Sequence, residues 1–389
     1  MKKVVLAYSG GLDTSCIIPW MKEKGYETIA FIADIGQGDD FEVIKKRALG
    51  SGAAKVYCVN LQKEFVEDYV FPALKAGALY ENKYVLACAL SRPLIARHQV
   101  LIARKEKADA VAHGCTGKGN DQVRFETTFR LMAPRMEIIA PVRIWEFKTR
   151  EEEMEYLKRH GIRLKITKKS PYSIDTNLYG RAIECGVLED PWQEPPEEVY
   201  VMTTSPLKAP ARPTYVEIEF SKGIPKKIDG RSYGSVELIR VLNKIAGRHG
   251  VGRVDMIENR LVGIKSREVY ENPAGEVLHK ALRDLECLVL DRETMRYKTQ
   301  ASQKYAELTY NGLWETPLKA QLDAYFTAVH QNTTGTVRVR LYKGACQVVG
   351  RRSRFSRYNQ KMATYGQGDV FDQRLAAGFN QLWATPFLK

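Results

Sequence analysis

The stretch Ser9-Gly10-Gly11-Leu12-Asp13-Thr14-Ser15 constrains this chain more than any other. Val4-Val5-Leu6-Ala7 before it is a short apolar run that reads as a buried parallel strand. Cys16-Ile17-Ile18, Trp20 and Met21 after it open an amphipathic helix ending near Gly25. A strand, a Gly-Gly turn with hydroxyls and a carboxylate, and a helix N-terminus together make an anion site. The turn N–H groups and the helix dipole both present positive charge to a phosphate. A Cβ at either glycine would hold oxygens off the backbone or forbid the turn. No Gly-Lys-Ser/Thr closes the loop and it is not GxGxxG, so it is neither a Walker A loop nor a dinucleotide fingerprint. From average residue usage, such a fixed pattern arises by chance in about one chain of this length in ten thousand. The competing reading is a tight turn with a Ser or Asp cap.

The pattern from residue 1 to about 165 alternates short apolar runs with amphipathic segments. Strands are predicted at Val4–Ala7, Thr28–Ala33, Lys55–Asn60, Ala110–His113 and Ile138–Ala140, and helices at about 13–24, 39–51, 62–75, 85–106 and 149–160. This alternation predicts an α/β fold, a doubly wound parallel sheet whose ligands sit at the carboxyl ends of the strands. Ser9–Ser15, Asp34–Gly38 and Gly114–Asp121 each follow a predicted strand, so one mouth can hold all three. Thr149 and Glu152 have capping-box spacing, and Gly161 stops that helix. Pro19 conflicts with the first helix, where it should remove a backbone bond and introduce a kink.

Beyond about 165, Ser170-Pro171-Tyr172, Asp190-Pro191-Trp192 and Glu194-Pro195-Pro196 mark irregular connections. A separate α+β unit follows. Its predicted strands are Tyr215–Phe220, Thr336–Tyr342 and Cys346–Gly350, and its helices lie near Val236–Ile245, Ala274–Leu290 and Pro317–Gln331. The last thirty or so residues read as a tail or small helical piece. The domains expected are 1–166, 167–361 and a tail at 362–389.

The chain of 389 residues has room for two domains and a substantial core. No apolar run approaches the roughly 18 residues of a membrane span. Lys2-Lys3 leads straight into the strand before the key loop, so the start reads as mature and cytoplasmic. Seven scattered cysteines without a CxxC pair indicate neither a disulfide framework nor zinc, and the six histidines show no ligand spacing. The net charge of +14 has two readings, polyanion binding and a solvated basic surface. Between Arg338 and Lys361 eight basic residues meet no acid, and alternation puts Arg338 and Arg340 on one strand face toward solvent or a subunit neighbour. No nucleic-acid module accompanies them, which favours the solvated surface.

The loop His113-Gly114-Cys115-Thr116-Gly117-Lys118-Gly119-Asn120-Asp121-Gln122-Val123-Arg124-Phe125 is the second strong signal. Its three glycines allow close backbone approach. Thr116, Asn120 and Asp121 offer a hydroxyl, an amide and a carboxylate suited to the polar ends of an amino acid, and Arg124 could grip a carboxylate through two hydrogen bonds. A Gly-rich surface turn is the competing reading.

AYSGGLDTS, FIADIGQG and HGCTGKGNDQVRF together resemble the argininosuccinate synthase family, as do FPALKAGALYENKY, GVLEDPWQEPP, HGVGRVDMIENRLVGIKSREVYE, KYAELTYNGLW and LYKGACQVVGRRS. The resemblance runs essentially the full length. It implies an N-type ATP pyrophosphatase nucleotide-binding domain, an α+β synthetase domain and a homotetramer clasped by the C-terminal tail. It also implies ATP with Mg2+, the magnesium carried by the nucleotide and by no protein metal site. The implied reaction joins citrulline to aspartate with release of AMP and pyrophosphate. The ureido oxygen attacks the α-phosphorus, and the α-amine of aspartate then displaces AMP from a citrullyl-adenylate. Such chemistry relies on positioning and charge stabilisation more than on acid–base groups.

By resemblance, Ala7, Tyr8, Ser9, Gly10, Gly11, Leu12, Asp13, Thr14, Ser15, Ala33 and Gly114 hold ATP. Thr116, Asn120 and Asp121 match aspartate-binding positions, and Tyr84, Asn120, Arg124, Ser173, Glu258 and Tyr270 match citrulline-binding ones. No general base is implied; Asp13, Asp121 and Arg124 are the positioning candidates. Ala89 and Ala182 stand where the family often has a hydroxyl near citrulline, Glu268 and Asn272 replace the usual Gly and Thr, and Val142 replaces a usual Trp. Three other readings stay open: a related ligase adenylating a different ureido or amide acceptor, a tRNA-modifying adenylating enzyme, and a nucleotide-binding scaffold without turnover.

Overall fold

The computed structural model describes residues 1–162 and 171–389; the expected domain border at 166/167 lies outside the described residues. Five strands, β1 (Lys2–Ala7), β2 (Tyr26–Asp34), β3 (Lys55–Asn60), β4 (Ala110–Ala112) and β5 (Glu137–Ile139), pair in parallel in the order β3-β2-β1-β4-β5. The doubly wound sheet expected from the alternation is therefore present. Its central strands carry near-continuous apolar runs because helices cover both faces. Val5, Ile29, Phe31 and Val111 pack into one core, while Val4, Leu6, Ala30 and Ile32 pack into the other. The strand order reverses between β1 and β4, which opens a crevice at their carboxyl ends.

Among the described residues nine further strands follow: β6 (Ser173–Asn177), β7 (Gly180–Glu184), β8 (Thr214–Ser221), β9 (Ile224–Ile228), β10 (Arg231–Ser232), β11 (Arg253–Asn259), β12 (Lys265–Glu271), β13 (Gly335–Tyr342) and β14 (Ala345–Arg352). They form one sheet of order β10-β9-β8-β13-β14 and another of order β11-β12-β7-β6, both with antiparallel pairing. Helix Pro273–Val289 packs on β13 and β14, with Val277, Leu278, Ala281, Leu282 and Leu285 buried.

Several elements depart from the sequence reading. Helix Leu12–Glu23 runs unbroken through the buried Pro19, whose missing N–H leaves the Ser15 carbonyl without its i+4 donor. Residues from Asp121 on belong to a helix, Asp121–Met132, where the sequence suggested loop to Phe125. The hairpins β6–β7 and β11–β12 stand where irregular connections or nothing regular was expected, and helix Arg292–Tyr310 was not anticipated. Those strands are short and rich in charge on the face that builds the site, which masks their apolar alternation. The expected capping box is present, with Thr149 Oγ1 accepting from Glu152 N at 3.2 Å.

The basic stretch also changes meaning in three dimensions. Arg338 donates to Glu217 at 2.9 Å and Arg351 to Asp284 at 2.6 Å. Acids absent nearby in sequence are supplied by β8 and by helix Pro273–Val289, so Arg338, Arg351 and Arg352 are paired while the rest of the patch keeps its charge. No helix among the described residues is long and apolar enough to cross a membrane.

Candidate active site

The loop after β1 is built by its glycines and hydroxyls. Gly10 sits at φ +79°, a left-handed conformation that favours glycine, and its carbonyl accepts from the Arg47 guanidinium. Gly11 begins the helix without any side-chain cap, which removes the capping alternative. Ser15 Oγ donates to Gly11 O at 2.7 Å and meets the Tyr8 hydroxyl at 2.9 Å, while Ser9 Oγ lies 3.2 Å from Thr14 Oγ1. The first-turn N–H groups of a helix have no intrahelical acceptors and serve whatever anion arrives.

A cavity of about 500 Å3 lies in front of this loop. Ala7, Tyr8, Ser9 and Thr14 line it, with Ala33 at the end of β2, Gln37 and Asp39 after it, and Gly114, Cys115 and Asp121 after β4. The second unit contributes Ile174, Asp175 and Thr176 from β6. Three strand-end loops thus converge on one mouth, as the sequence suggested. Gly10, Gly11, Leu12, Asp13 and Ser15 support the loop without lining the cavity.

Arg92, which the sequence did not single out, is the electrostatic centre of the wall opposite. Its Nε donates to Asp121 Oδ2 at 2.9 Å and its Nη2 to Asp175 Oδ2 at 2.6 Å. Arg124 Nη1 donates to Asp121 Oδ1 at 2.9 Å. Burial alone would push the Asp121 carboxyl up, but the two guanidiniums outweigh it and hold it at about 2.

Behind Asp121 lies a buried cluster made of the acceptor-side candidates. Tyr270 OH donates to Glu258 Oε2 at 2.6 Å, and the Tyr84 ring stacks on Tyr270 at 3.9 Å. Tyr84 OH accepts from Cys88 N at 2.8 Å, and Asn120 Oδ1 accepts from Leu261 N at 2.8 Å. Burial raises the Glu258 carboxyl, opposed by hydrogen bonds from Tyr270 and Tyr310. Tyr84, Asn120, Arg124, Glu258 and Tyr270 are all brought together here, yet none of them lines the cavity. Arg124 commits its Nε to the Tyr310 carbonyl at 2.9 Å, so the two-bond grip foreseen for it is partly spent inside the protein. Thr116 is exposed on its loop and Ser173 is exposed at the start of β6, both outside the cluster.

A family model described as the Arginosuccinate synthase N-terminal HUP domain matches residues 3–163, and one described as the Arginosuccinate synthase C-terminal domain matches residues 172–388. The chain belongs to the argininosuccinate synthase family. It is 55% identical to an argininosuccinate synthase of Caldanaerobacter subterraneus subsp. tengcongensis, over 98% of this chain and 93% of that one. It is 54% identical to one from Carboxydothermus hydrogenoformans, over 99% and 96%. It is also 54% identical to one from Gloeobacter violaceus, over 99% and 97%.

Of the positions singled out as departures by resemblance, Ala182 and Glu268 share one sheet face, whereas Ala89 and Val142 lie elsewhere. Register puts Ala182 opposite both Asp175 and Tyr270. Glu268 lies on the same face as Tyr270, two residues along β12, and accepts from Arg260 Nη2 at 2.8 Å; Arg260 also pairs with Glu184. Burial and the Glu184 charge raise the Glu268 carboxyl. Arg260 therefore sits between two acids, Glu184 and Glu268, whose mutual repulsion with burial favours a protonated Glu268. Ala89 is fully buried on helix Ala87–Glu106, Val142 is half-buried against the core of Val4, Leu6, Ala30 and Ile32, and Asn272 donates to the Glu271 carbonyl at 2.7 Å.

Proposed function

We propose that this chain joins citrulline to aspartate at the crevice between β1, β4 and β6, with the β1 loop holding the pyrophosphate of ATP. The activity goes with the family: an ATP-dependent ligase forming argininosuccinate in arginine biosynthesis. The observation that carries the site assignment is the convergence of the uncapped loop Ser9–Ser15 with Arg92 and Asp121, the latter held from behind by Arg124, across one cavity.

In this reading the ureido oxygen attacks the α-phosphorus, the bond to the β,γ-pyrophosphate breaks, and the α-amine of aspartate then displaces AMP. Backbone N–H groups at the helix start take up charge on the departing pyrophosphate without reorganising. Ala33 and Gly114 border the nucleotide; Thr116, Asn120 and Asp121 receive aspartate; Tyr84, Asn120, Arg124, Ser173, Glu258 and Tyr270 receive citrulline. Each buried acceptor-side group keeps unused bonding capacity: Glu258 has further lone pairs, Asn120 a second N–H, and Arg124 its Nη2.

Magnesium would travel with ATP. The Glu153 carboxyl faces Asp13 within hydrogen-bonding reach, and its buried Oε2 has no partner. Neither residue lines the cavity, and burial with the Asp13 charge raises the Glu153 carboxyl toward its protonated form, so the pair does not fit a protein-held Mg2+. Carried by the nucleotide, the ion would offset charge on the pyrophosphate.

The test is pyrophosphate release with citrulline and aspartate added singly and together. Product requiring both supports the reading; ADP release, or no product with both present, sinks it. Turnover across other ureido amino acids checks whether Ala89, Ala182 and Glu268 have changed the acceptor.

The same reading makes the enzyme a cytoplasmic homotetramer clasped by residues 362–389. Helix Leu375–Ala384 buries nothing within its own chain, and Phe379, Leu382 and Trp383 stand exposed on it. Deleting residues 362–389 should leave the melting temperature of the folded unit nearly unchanged while light scattering reports a smaller particle. An unchanged particle size would discard the clasp.

A further inference from the structure

We propose that Tyr310 is a positioning residue of the ligation site, setting the aspartate-side Asn120 against the citrulline-side Glu258. The proposal rests on the assignment of Asn120, Arg124 and Glu258 given above. Tyr310 is the last residue of helix Arg292–Tyr310, far from every glycine-rich motif in sequence, and it is buried. Its hydroxyl, carbonyl and ring together meet three site candidates, Glu258, Asn120 and Arg124. Its hydroxyl donates to Glu258 Oε1 at 2.5 Å and accepts from Asn120 Nδ2 at 2.8 Å. Its carbonyl, one of the orphan acceptors at a helix end, accepts from Arg124 Nε at 2.9 Å. Its ring has the Arg124 guanidinium 4.8 Å from the centroid and stacks on Tyr80 at 3.5 Å.

The phenol has one proton, and that proton determines an orientation elsewhere. A carboxylate such as Glu258 can only accept, so the proton goes to Glu258. The phenol oxygen must then accept from Asn120, which turns the Asn120 amide nitrogen toward Tyr310 and its carbonyl toward Leu261 N. Asn120 is left with one free N–H, and Glu258 with its remaining lone pairs. The chain after Tyr310 is shaped for the close approach. Gly312 sits at φ +73°, and a Cβ there would lie 2.7 Å from Arg124 Cα.

Tyr310→Phe keeps the ring, the stacking and the carbonyl and removes only the hydroxyl. The expected result is a rise in KM of about tenfold or more for citrulline and for aspartate, with KM for ATP within about twofold of wild type. A second readout separates positioning from simple packing. Glu258 is faced by Tyr270 and Glu268 from β12, Tyr310 from its helix, Arg124 from helix Asp121–Met132, Arg260 from the β11–β12 turn, and the phenols of Tyr80 and Tyr84. Removing one donor to its carboxylate raises its pKa, so the acid limb of kcat/KM for citrulline moves to higher pH. Tyr305→Phe, which removes a buried hydroxyl of the same helix that donates to Asp323 on helix Pro317–Val329, is the control. An equal change in all three KM values, a change matched by Tyr305→Phe, or no change overturns the proposal. Should the phenylalanine variant not fold, Glu258→Gln must reproduce the selective rise for both amino acids, and its failure to do so counts equally against it. Arg124→Met distinguishes the two levels: if it leaves KM for citrulline unchanged, the site reading itself fails.

Discussion

Gly10→Ala should lower kcat/KM for ATP by about a hundredfold, the scale of losing aligned donors to developing charge. The cause is local and has two parts. Alanine at φ +79° carries about 1–2 kcal/mol of left-handed strain. Its Cβ would also approach Ile44 Cγ2 to 3.0 Å and Cγ1 to 3.1 Å, so either the loop or helix Phe41–Gly50 must move. That helix carries Arg47, which binds the Gly10 carbonyl, so movement releases the loop from its anchor. Gly25 supplies the comparison. It has φ +83° and open space, with nothing within 4 Å of where a Cβ would stand, so Gly25→Ala has similar strain without the contact. Steady-state kinetics on both variants should show the loss at Gly10 and near-normal activity at Gly25. Equal activity losses would mean that general instability, rather than loop geometry, is responsible.

Arg92→Met should be the most destabilising change at the site, by about 3 kcal/mol, because it leaves the Asp175 carboxylate without its cation. For a domain of this size that is a fall in melting temperature of about 6–12 °C. The guanidinium joins helix Ala87–Glu106 to Asp121 in the first unit and to β6 in the second, so its loss also loosens the crevice wall. Acid titration provides an independent check. The folded-state pKa of Asp121 is depressed to about 2, below the roughly 3.9 of a free aspartate. Its contribution to stability is therefore complete above about pH 4 and is lost as pH falls from about 4 to 2. In Arg92→Met only Arg124 remains to hold Asp121, so its folded pKa rises and this acid-labile component shrinks. Denaturation followed between pH 2 and 5 reads it directly; an unchanged pH slope would show that Arg92 does not act on Asp121.

Much of the nucleotide side was legible along the chain because its parts are local. The β1 loop, the Asp34–Gly38 turn and the Gly114–Asp121 loop each announce themselves by glycines directly after an apolar run. The acceptor side was legible only through resemblance. Glu258, Tyr270 and Ser173 look like ordinary strand residues, since their strands β6, β11 and β12 have polar inward faces. Arg92 gave no signal inside a helix with other basic residues. Tyr310 lay in a segment where no helix was anticipated, so nothing pointed its hydroxyl at a carboxylate on β11.

The division follows from the range of the forces involved. Backbone conformation at Gly10 and helix dipoles act over a few residues, so the chain by itself determined a parallel sheet with an anion loop at its switch point. Which charges meet is a matter of contacts across the fold. Only tertiary structure decided that Arg92 bridges Asp121 to Asp175, that Glu217 and Asp284 answer the basic stretch, and that Tyr310 ties Asn120 to Glu258. A buried charge or hydroxyl must find a partner wherever packing puts one, and packing is set by the whole chain.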